Sequence, residues 1–223
     1  MKHDTIFTKA EPMIGSLSGI VTTPSDHDPE NERLPVIVFL HGAGENGNGT
    51  AHIDRVRAHG IPKYFGADAD HRGLRVITVS PQCPEELIWD NITLQLKDYI
   101  DAAVAHFKGD PARVAVTGIS MGGFGTWNLV LTYPSVFWCA APICGGGVCW
   151  RFNERHRGTK LWVFHSVDDD SVPYECSALM VRRVSERGGD VEFTSYTHEG
   201  HGCWDRAYEE TNLIEWLAKG GDP

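Results

Sequence analysis

Residues 114–122 read Val-Ala-Val-Thr-Gly-Ile-Ser-Met-Gly, and the class of the fold can be inferred from them. Val114–Thr117 is a short apolar run, typical of a strand that is buried on both faces of a parallel sheet. The segment 122–133 is predicted to be a helix that ends before Pro134. The chain therefore passes from a buried strand through a sharp turn into a helix, and Ser120 lies on the turn. The glycines on either side of Ser120 let neighbouring backbone pass without a Cβ clash.

Strands of the same kind alternate with helices along the rest of the chain. An N-terminal strand pair is followed by predicted strands at 36–40, 75–80, 114–117, 138–143, 160–165 and 191–196. The helices are predicted at 96–107, 122–133, 174–188 and 205–219. This alternation predicts an α/β fold with a mostly parallel central sheet and helices on both faces. In such sheets, functional residues lie at the carboxyl ends of the strands.

Length and composition are those of a globular protein. The 223 residues fit a single domain, 1–223, in which 1–34 hold the N-terminal strands and a surface loop and 35–218 form the core that carries the chemistry. A net charge of −10 argues against binding to nucleic acid or to anionic membranes, because both need a basic surface. The N-terminus has no apolar stretch of the signal-peptide type, so we expect a cytoplasmic location. The six cysteines are not expected to pair.

The pentapeptide 118–122 matches G-x-S-x-G in the strand–turn–helix context that this motif requires. Ser120 is therefore the candidate nucleophile of an α/β-hydrolase fold. In that fold the oxyanion is held by the backbone N–H after the nucleophile, here Met121, and by an N–H of the loop after an earlier strand. That loop contains Ala43, our first candidate, and Gly44, our second. His41 is expected to hydrogen-bond backbone and shape the loop.

An acid and a base must follow the nucleophile along the chain. The strand ending at His165 is followed by three aspartates, Asp168, Asp169 and Asp170, and any one of them could be the acid. For the base, His201 lies between two glycines on a loop that can arch towards the serine, which favours it over His198. These two histidines and Cys203 could also be drawn as metal ligands. Because no second ligand pair accompanies them, we expect no metal.

The chain resembles the α/β-hydrolase esterases known as predicted peptidases or phospholipase/carboxylesterase-like enzymes. The resemblance covers residues from about 35 to 217. It rests on six segments, namely 40–45, 81–84 with Trp89, 118–123, 142–147, 165–173 and 200–208. It implies that Asp169, four residues after the strand-end histidine, is the acid and that His201 is the base. One departure is Ser166, where the family usually has glycine. Dienelactone hydrolases are similar in layout but use a cysteine nucleophile, so Ser120 argues against that activity.

The sequence therefore predicts a serine carboxylesterase that needs no cofactor. The segment 145–159 is too short for a cap domain, so an open site is expected, suited to short-chain acyl esters or to acetyl and feruloyl esters on plant-wall polymers. The candidate substrate-binding residues are Gly44, Gln82, Trp89 and Trp204, with Trp150 a further aromatic that could line the site. The alternatives are a serine peptidase, an acyl-protein thioesterase or lysophospholipase, and a non-catalytic binding protein on the same fold.

Overall fold

The protein is described here by a computed structural model covering residues 2–11, 15–66 and 73–222. The strands are β1 (Lys2–Glu11), β2 (Gly15–Pro24), β3 (Leu34–Leu40), β4 (Ile77–Pro81), β5 (Gly109–Ile119), β6 (Cys139–Ile143), β7 (Lys160–Ser166) and β8 (Val191–Tyr196). The helices are α1 (Gly60–Phe65), α2 (Thr93–His106), α3 (Met121–Thr132), α4 (Glu175–Glu186), α5 (Trp204–Glu210) and α6 (Leu213–Ala218).

All eight strands belong to one sheet, in the order β1-β2-β4-β3-β5-β6-β7-β8. β1 pairs with β2, and β2 with β4, in antiparallel fashion, whereas every other pair is parallel. Leu40 pairs with Gly118, and Ile119 pairs with Ile143. The carboxyl ends of β3, β5 and β6 therefore meet at one edge. The predicted α/β-hydrolase fold with a mostly parallel sheet is confirmed.

Helices cover both faces of the sheet because the buried strands are apolar on both sides. Alternate residues of β3 divide between two cores: Val36 and Val38 pack with α2, α3 and α4, whereas Ile37 and Phe39 pack with α1, α5 and α6. Tyr99 of α2 is fully buried in the first core, at 0% exposure. This period-two division is what a central parallel strand requires.

Two predicted boundaries are wrong. β5 begins at Gly109 and not at Val114, and Gly109 pairs with Leu34 before the register shifts. The predicted helix 205–219 is two helices, because Thr211 is extended and breaks it. The Thr211 hydroxyl donates to the Ala207 carbonyl at 2.6 Å and accepts from the Leu213 N–H at 3.1 Å. Such side-chain bonds compete with helical backbone bonds.

The connection between β6 and β7 is short, as predicted. Residues 144–159 contain two single-turn 3₁₀ helices, Cys149–Arg151 and Glu154–His156, and no cap is inserted there. Among the described residues, no helix has both the length and the apolarity needed to cross a membrane. All six cysteines lie in described segments and are free thiols.

Candidate active site

Ser120 lies on a strained turn at the carboxyl end of β5. Its backbone has φ 52° and ψ −118°, a region that residues with a Cβ rarely adopt. The Ser120 N–H donates to the carbonyl of Ile143 at 3.0 Å, which ties the turn to β6. A Cβ at Gly122 would lie 1.9 Å from the carbonyl oxygen of Leu40. The turn can therefore pack against β3 only with glycine at this position.

Ser120, His201 and Asp169 form a continuous hydrogen-bonded series. The Ser120 Oγ atom lies 2.8 Å from His201 Nε2, and His201 Nδ1 lies 2.8 Å from Asp169 Oδ2. A neutral imidazole that donates from Nδ1 to the carboxylate presents an acceptor to the serine hydroxyl. The structure thus brings together the three residues predicted as nucleophile, base and acid.

The Asp169 carboxylate is held by backbone on its second oxygen. Oδ1 accepts the N–H groups of Ser171 and Val172, each at 2.9 Å. Its side chain has no exposed surface, and that burial by itself would raise the pKa of the carboxyl. The hydrogen bonds from His201 and from the two N–H groups outweigh burial and lower the pKa of Asp169 below its ordinary value. The carboxylate is therefore ionised and fixed in direction.

His165 is a partner of Asp169 whose contact the motif alone did not reveal. It is fully buried, and its Nε2 lies 3.1 Å from Asp169 Oδ2 and 3.0 Å from the Val172 carbonyl. Both neighbours are acceptors, so Nε2 carries a proton and donates. The Nδ1 atom lies 2.8 Å from the Ser177 hydroxyl. Burial lowers the pKa of His165, and the Val172 carbonyl and the Asp169 carboxylate oppose that shift.

The two flanking aspartates point elsewhere. Asp170 is exposed and accepts from the Ser171 hydroxyl at 3.2 Å. Asp168 is exposed too, but it accepts from the Ser166 hydroxyl and from the Gly200 N–H, the latter at 3.0 Å. Asp168 fastens the loop that carries His201, and Ser166 takes part in the same connection.

The loop after β3 is built on the side chain of His41. Its Nδ1–H donates to the Gly42 carbonyl at 2.6 Å, and its Nε2 accepts from the Cys83 N–H at 2.9 Å. Trp89 Nε1–H donates to the His41 carbonyl at 3.0 Å. Burial lowers the pKa of His41 to about 4, so the ring is neutral at ordinary pH. The expected loop-shaping position of His41 is what the structure shows.

Gln82 lies beneath the same loop and not on its surface. The side chain is 1% exposed, and its Nε2 donates to the carbonyls of Glu45 and His52 at 3.0 and 2.7 Å. Its Oε1 accepts the Gly49 N–H at 2.9 Å. The expectation that Gln82 contacts substrate is therefore corrected: its amide is occupied by backbone, and it supports the loop from below.

Ala43 and Met121, the predicted oxyanion donors, line one cavity. Each is the first residue of a helix, the 3₁₀ turn Ala43–Glu45 and α3, so neither N–H has a partner within its own helix. The cavity measures about 350 Å³ and is lined by Ala43, Ile88, Trp89, Asp90, Met121 and Phe124. Trp89 thus forms part of its wall while its ring nitrogen holds the loop.

A second cavity of about 340 Å³ shares Asp90 and Phe124 with the first. It extends under the β6–β7 connection and against α4. Its remaining lining residues are Asn128, Leu131, Gly146, Gly147, Val148, Cys149, Arg151, Cys176 and Leu179. Sequence reasoning did not identify this extension, because its walls come from four separate segments.

The remaining predicted residues lie around this centre. The Trp204 ring meets His201 edge-on, with ring centroids 5.4 Å apart. Gly44 is exposed beside Ala43, and Trp150 is 74% exposed and lines neither cavity. His198 is exposed.

The three candidate metal ligands from the sequence, His198, His201 and Cys203, do not come together as a possible metal site. Among described residues, the ligand atoms that lie within 4.8 Å of one another belong to Cys144, Asp169 and His201. Two of these residues are already engaged in the series that leads to Ser120.

The fold and the Ser–His–Asp series are those of a serine hydrolase with the α/β-hydrolase fold. The family model for "putative esterase" matches residues 12–171, and a model of the prolyl oligopeptidase family matches 148–220. The chain belongs to the putative esterase family.

Individual relatives agree with this assignment. A crystal structure of a thermostable esterase has a TM-score of 0.81 and 31% identity, over 97% of this chain and 62% of that one. Carboxylesterase SOBER1 of Arabidopsis thaliana is 28% identical over 116 residues, 49% of this chain and 50% of that protein. The feruloyl esterase module of Clostridium thermocellum, solved with sinapinate, shares the fold with a TM-score of 0.73 and 15% identity, over 93% of this chain and 85% of that one. This chain spans half or less of the length of the curated relatives that it matches.

Proposed function

We propose that the protein is a serine carboxylesterase that cleaves short-chain acyl esters, or acetyl and feruloyl esters carried on plant-wall polymers, through an acyl-enzyme. The observation that carries the proposal is the 2.8 Å contact between Ser120 Oγ and His201 Nε2, with Asp169 behind the imidazole. Membership of the esterase family supports the ester as the scissile bond.

In the first step, Ser120 Oγ attacks the ester carbonyl while His201 Nε2 takes the hydroxyl proton. Asp169 holds Nδ1–H and stabilises the imidazolium that forms. The negative charge that develops on the carbonyl oxygen is directed at the N–H groups of Ala43 and Met121. Both lie at helix starts, where unpaired N–H groups favour an anion.

Collapse of this intermediate breaks the bond to the alcohol, which leaves with the proton from His201. Water then enters beside His201 and gives up a proton to Nε2 as its oxygen attacks the acyl carbonyl. The second collapse returns the proton to Ser120 and releases the carboxylic acid. Every proton moves through one imidazole nitrogen.

The open surroundings of Ser120 support the proposed substrates. The short β6–β7 connection leaves the site without a cap on that side, so an ester carried on a polymer has access. A feruloyl esterase module shares the fold, and its substrate is the reason that aromatic acyl groups are among the proposed ones.

The test uses Ser120→Ala, a fluorophosphonate probe and a panel of acetate, butyrate and hydroxycinnamate esters. We expect the probe to label the wild-type protein and not the variant, and kcat to fall about 10⁴-fold with unchanged thermal unfolding. Cys149→Ser, a thiol of the second cavity, serves as a labelling control because a cysteine adduct would disappear there instead. Labelling of the Ser120→Ala protein at the wild-type rate would refute the assignment.

A serine peptidase is the second candidate, because the prolyl oligopeptidase family model matches residues 148–220. The same residues cleave amides if the amine can be protonated as it leaves. Matched ester and amide substrates with one acyl group decide between the two. We expect kcat/KM for the ester to exceed that for the amide, and the reverse order would establish the peptidase.

A further inference from the structure

The two cavities adjoin, because they share two lining residues, and we call them together the groove. The near part contains Ala43 and Met121, and the shared residues Asp90 and Phe124 lead into the far part. Neither cavity is lined by His201 or Trp204. The groove therefore lies on the side of the candidate oxyanion donors and not on the side of the imidazole.

This direction tells which half of an ester the groove receives. The leaving alcohol oxygen must lie beside His201 Nε2 to take its proton, so the alcohol half is directed towards His201. The acyl half extends from the same carbonyl carbon on the other side. Under the proposed function, on which this step rests, the groove next to Ala43 and Met121 is the acyl-binding groove.

The near part of the groove is apolar. Ile88, Trp89, Met121 and Phe124 surround the position where the first carbons of an acyl group would lie. Ile88 is 48% exposed and forms an open rim. Burial of acyl carbon atoms there removes apolar surface from water and therefore favours binding.

The far part contains a polar cluster made by Asp90, Asn128 and Arg151, with Asp90 at its junction with the near part. The guanidinium of Arg151 is fixed, because Nη1 donates to Asn128 Oδ1 and Nη2 donates to Thr132 Oγ1, both at 3.0 Å. A guanidinium has five N–H donors, and these contacts engage two of them. Partial desolvation raises the pKa of the Asp90 carboxyl, and the Asn128 amide and the Arg151 charge oppose this shift.

The pair of opposite charges selects the chemical group that fits. A carboxylate at this position would be attracted by Arg151 but repelled by Asp90. An ammonium group would be attracted by Asp90 but repelled by Arg151. A methyl end would remove water from both charged groups without replacing the hydrogen bonds. A hydroxyl accepts from the Arg151 N–H and donates to Asp90 at the same time, so it satisfies both.

We propose that the far cavity is a subsite for a hydroxyl group at the end of an apolar acyl chain, bound between Asp90 and Arg151. The preferred substrate is then an ester of a hydroxyl-ended acid, aliphatic or aromatic, and these two residues determine that specificity.

The test compares matched methyl esters whose acids differ only at the far end. One series carries a methyl end, one a hydroxyl and one a carboxylate, at several chain lengths. Methyl cinnamate and methyl 4-hydroxycinnamate form a rigid pair. Acid release is followed in a pH-stat. We expect the hydroxyl-ended ester to have a kcat/KM about 10-fold higher than its methyl-ended match at the length that reaches the cluster.

Three variants assign the effect to the cluster. Arg151→Met keeps an apolar stem without donors, and Asp90→Asn removes the negative charge with little change in volume. Arg182→Met is the matched control, because Arg182 is a surface arginine of α4 whose partner is Glu186. We expect the ratio of hydroxyl-ended to methyl-ended kcat/KM to fall towards one in Arg151→Met and to stay unchanged in Arg182→Met. In Asp90→Asn, the kcat/KM of the carboxyl-ended esters should rise relative to that of the other two series.

The ratio is measured within each protein, so a general loss of activity cancels. If the wild-type protein hydrolyses none of the esters, the proposed function fails. If it hydrolyses the methyl-ended series but shows no preference for a hydroxyl at any length, the hydroxyl subsite alone is refuted. A preference that survives in both Arg151→Met and Asp90→Asn would refute it equally.

Discussion

His165 Nε2 lies 3.1 Å from Asp169 Oδ2, the same oxygen that faces His201 Nδ1. One carboxylate oxygen therefore joins a fully buried imidazole to one at the surface of the site. Because His165 is held by Ser177 and by the Val172 carbonyl, it restricts the direction of Asp169. We regard His165 as a positioning residue for the Ser120 centre.

Replacing His165 by leucine should lower kcat by about 10- to 100-fold with little change in KM, since Asp169 loses a donor and the imidazole of His201 loses alignment. His165→Gln keeps an N–H at a similar distance and should restore part of the rate. Steady-state kinetics over a range of pH, with thermal unfolding as the check on folding, measure this. Equal loss in the leucine and glutamine variants would contradict a role through the donor.

Changing each of the three neighbouring aspartates to asparagine should have very different effects on kcat. Asp169→Asn should lower kcat by about 10⁴-fold, because the amide favours the wrong tautomer of His201. Asp170→Asn should change little, and Asp168→Asn should cost less than about 10-fold, because its amide oxygen can still accept from Gly200 N–H. Rates for the three purified variants decide the matter. A loss in Asp168→Asn as large as in Asp169→Asn would show that the acid is assigned wrongly.

Unsubstituted acyl chains should be hydrolysed best when they are short. A long alkyl chain that filled the groove would reach Arg151 and Asp90 and strip water from both, at a cost that its burial does not recover. The measurement is kcat/KM along a series from acetate to palmitate esters. A maximum at the long end, or activation at a lipid surface, would contradict the short-chain preference.

His41 should make the protein sensitive to acid. Its pKa is about 4 in the folded protein and about 6.5 in the unfolded chain, so the unfolded state binds the proton first as pH falls. The stability that depends on neutral His41 is complete above pH 6.5 and is lost as pH falls towards 4. The loss should approach about 3 kcal/mol.

Urea unfolding of wild-type and His41→Gln proteins between these pH values measures the difference. Other titrating groups are common to both proteins and cancel. The wild-type free energy of unfolding should fall more steeply with acidification. Parallel pH dependence in the two proteins would show that His41 is not the group responsible.

Reasoning from the residues alone reached the α/β class and the position of Ser120, because both depend on local sequence. A strand buried on both faces needs an unbroken apolar run, and the turn at Ser120 needs small neighbours, so these features are visible in residues 114–122. The break at Thr211 and the early start of β5 were missed, since each depends on a particular hydrogen bond or strand pairing.

By itself the sequence determined the order of strands and helices and which loops carry chemistry. Only the tertiary structure decided which atoms meet: His165 and His201 on one oxygen of Asp169, Asp168 on the Gly200 N–H, Gln82 beneath its loop. It also decided that Asp90 and Arg151, 61 positions apart, share a cavity. The physical reason is that apolar periodicity acts over a few residues, whereas the direction of a polar side chain depends on partners brought close only when the sheet has assembled.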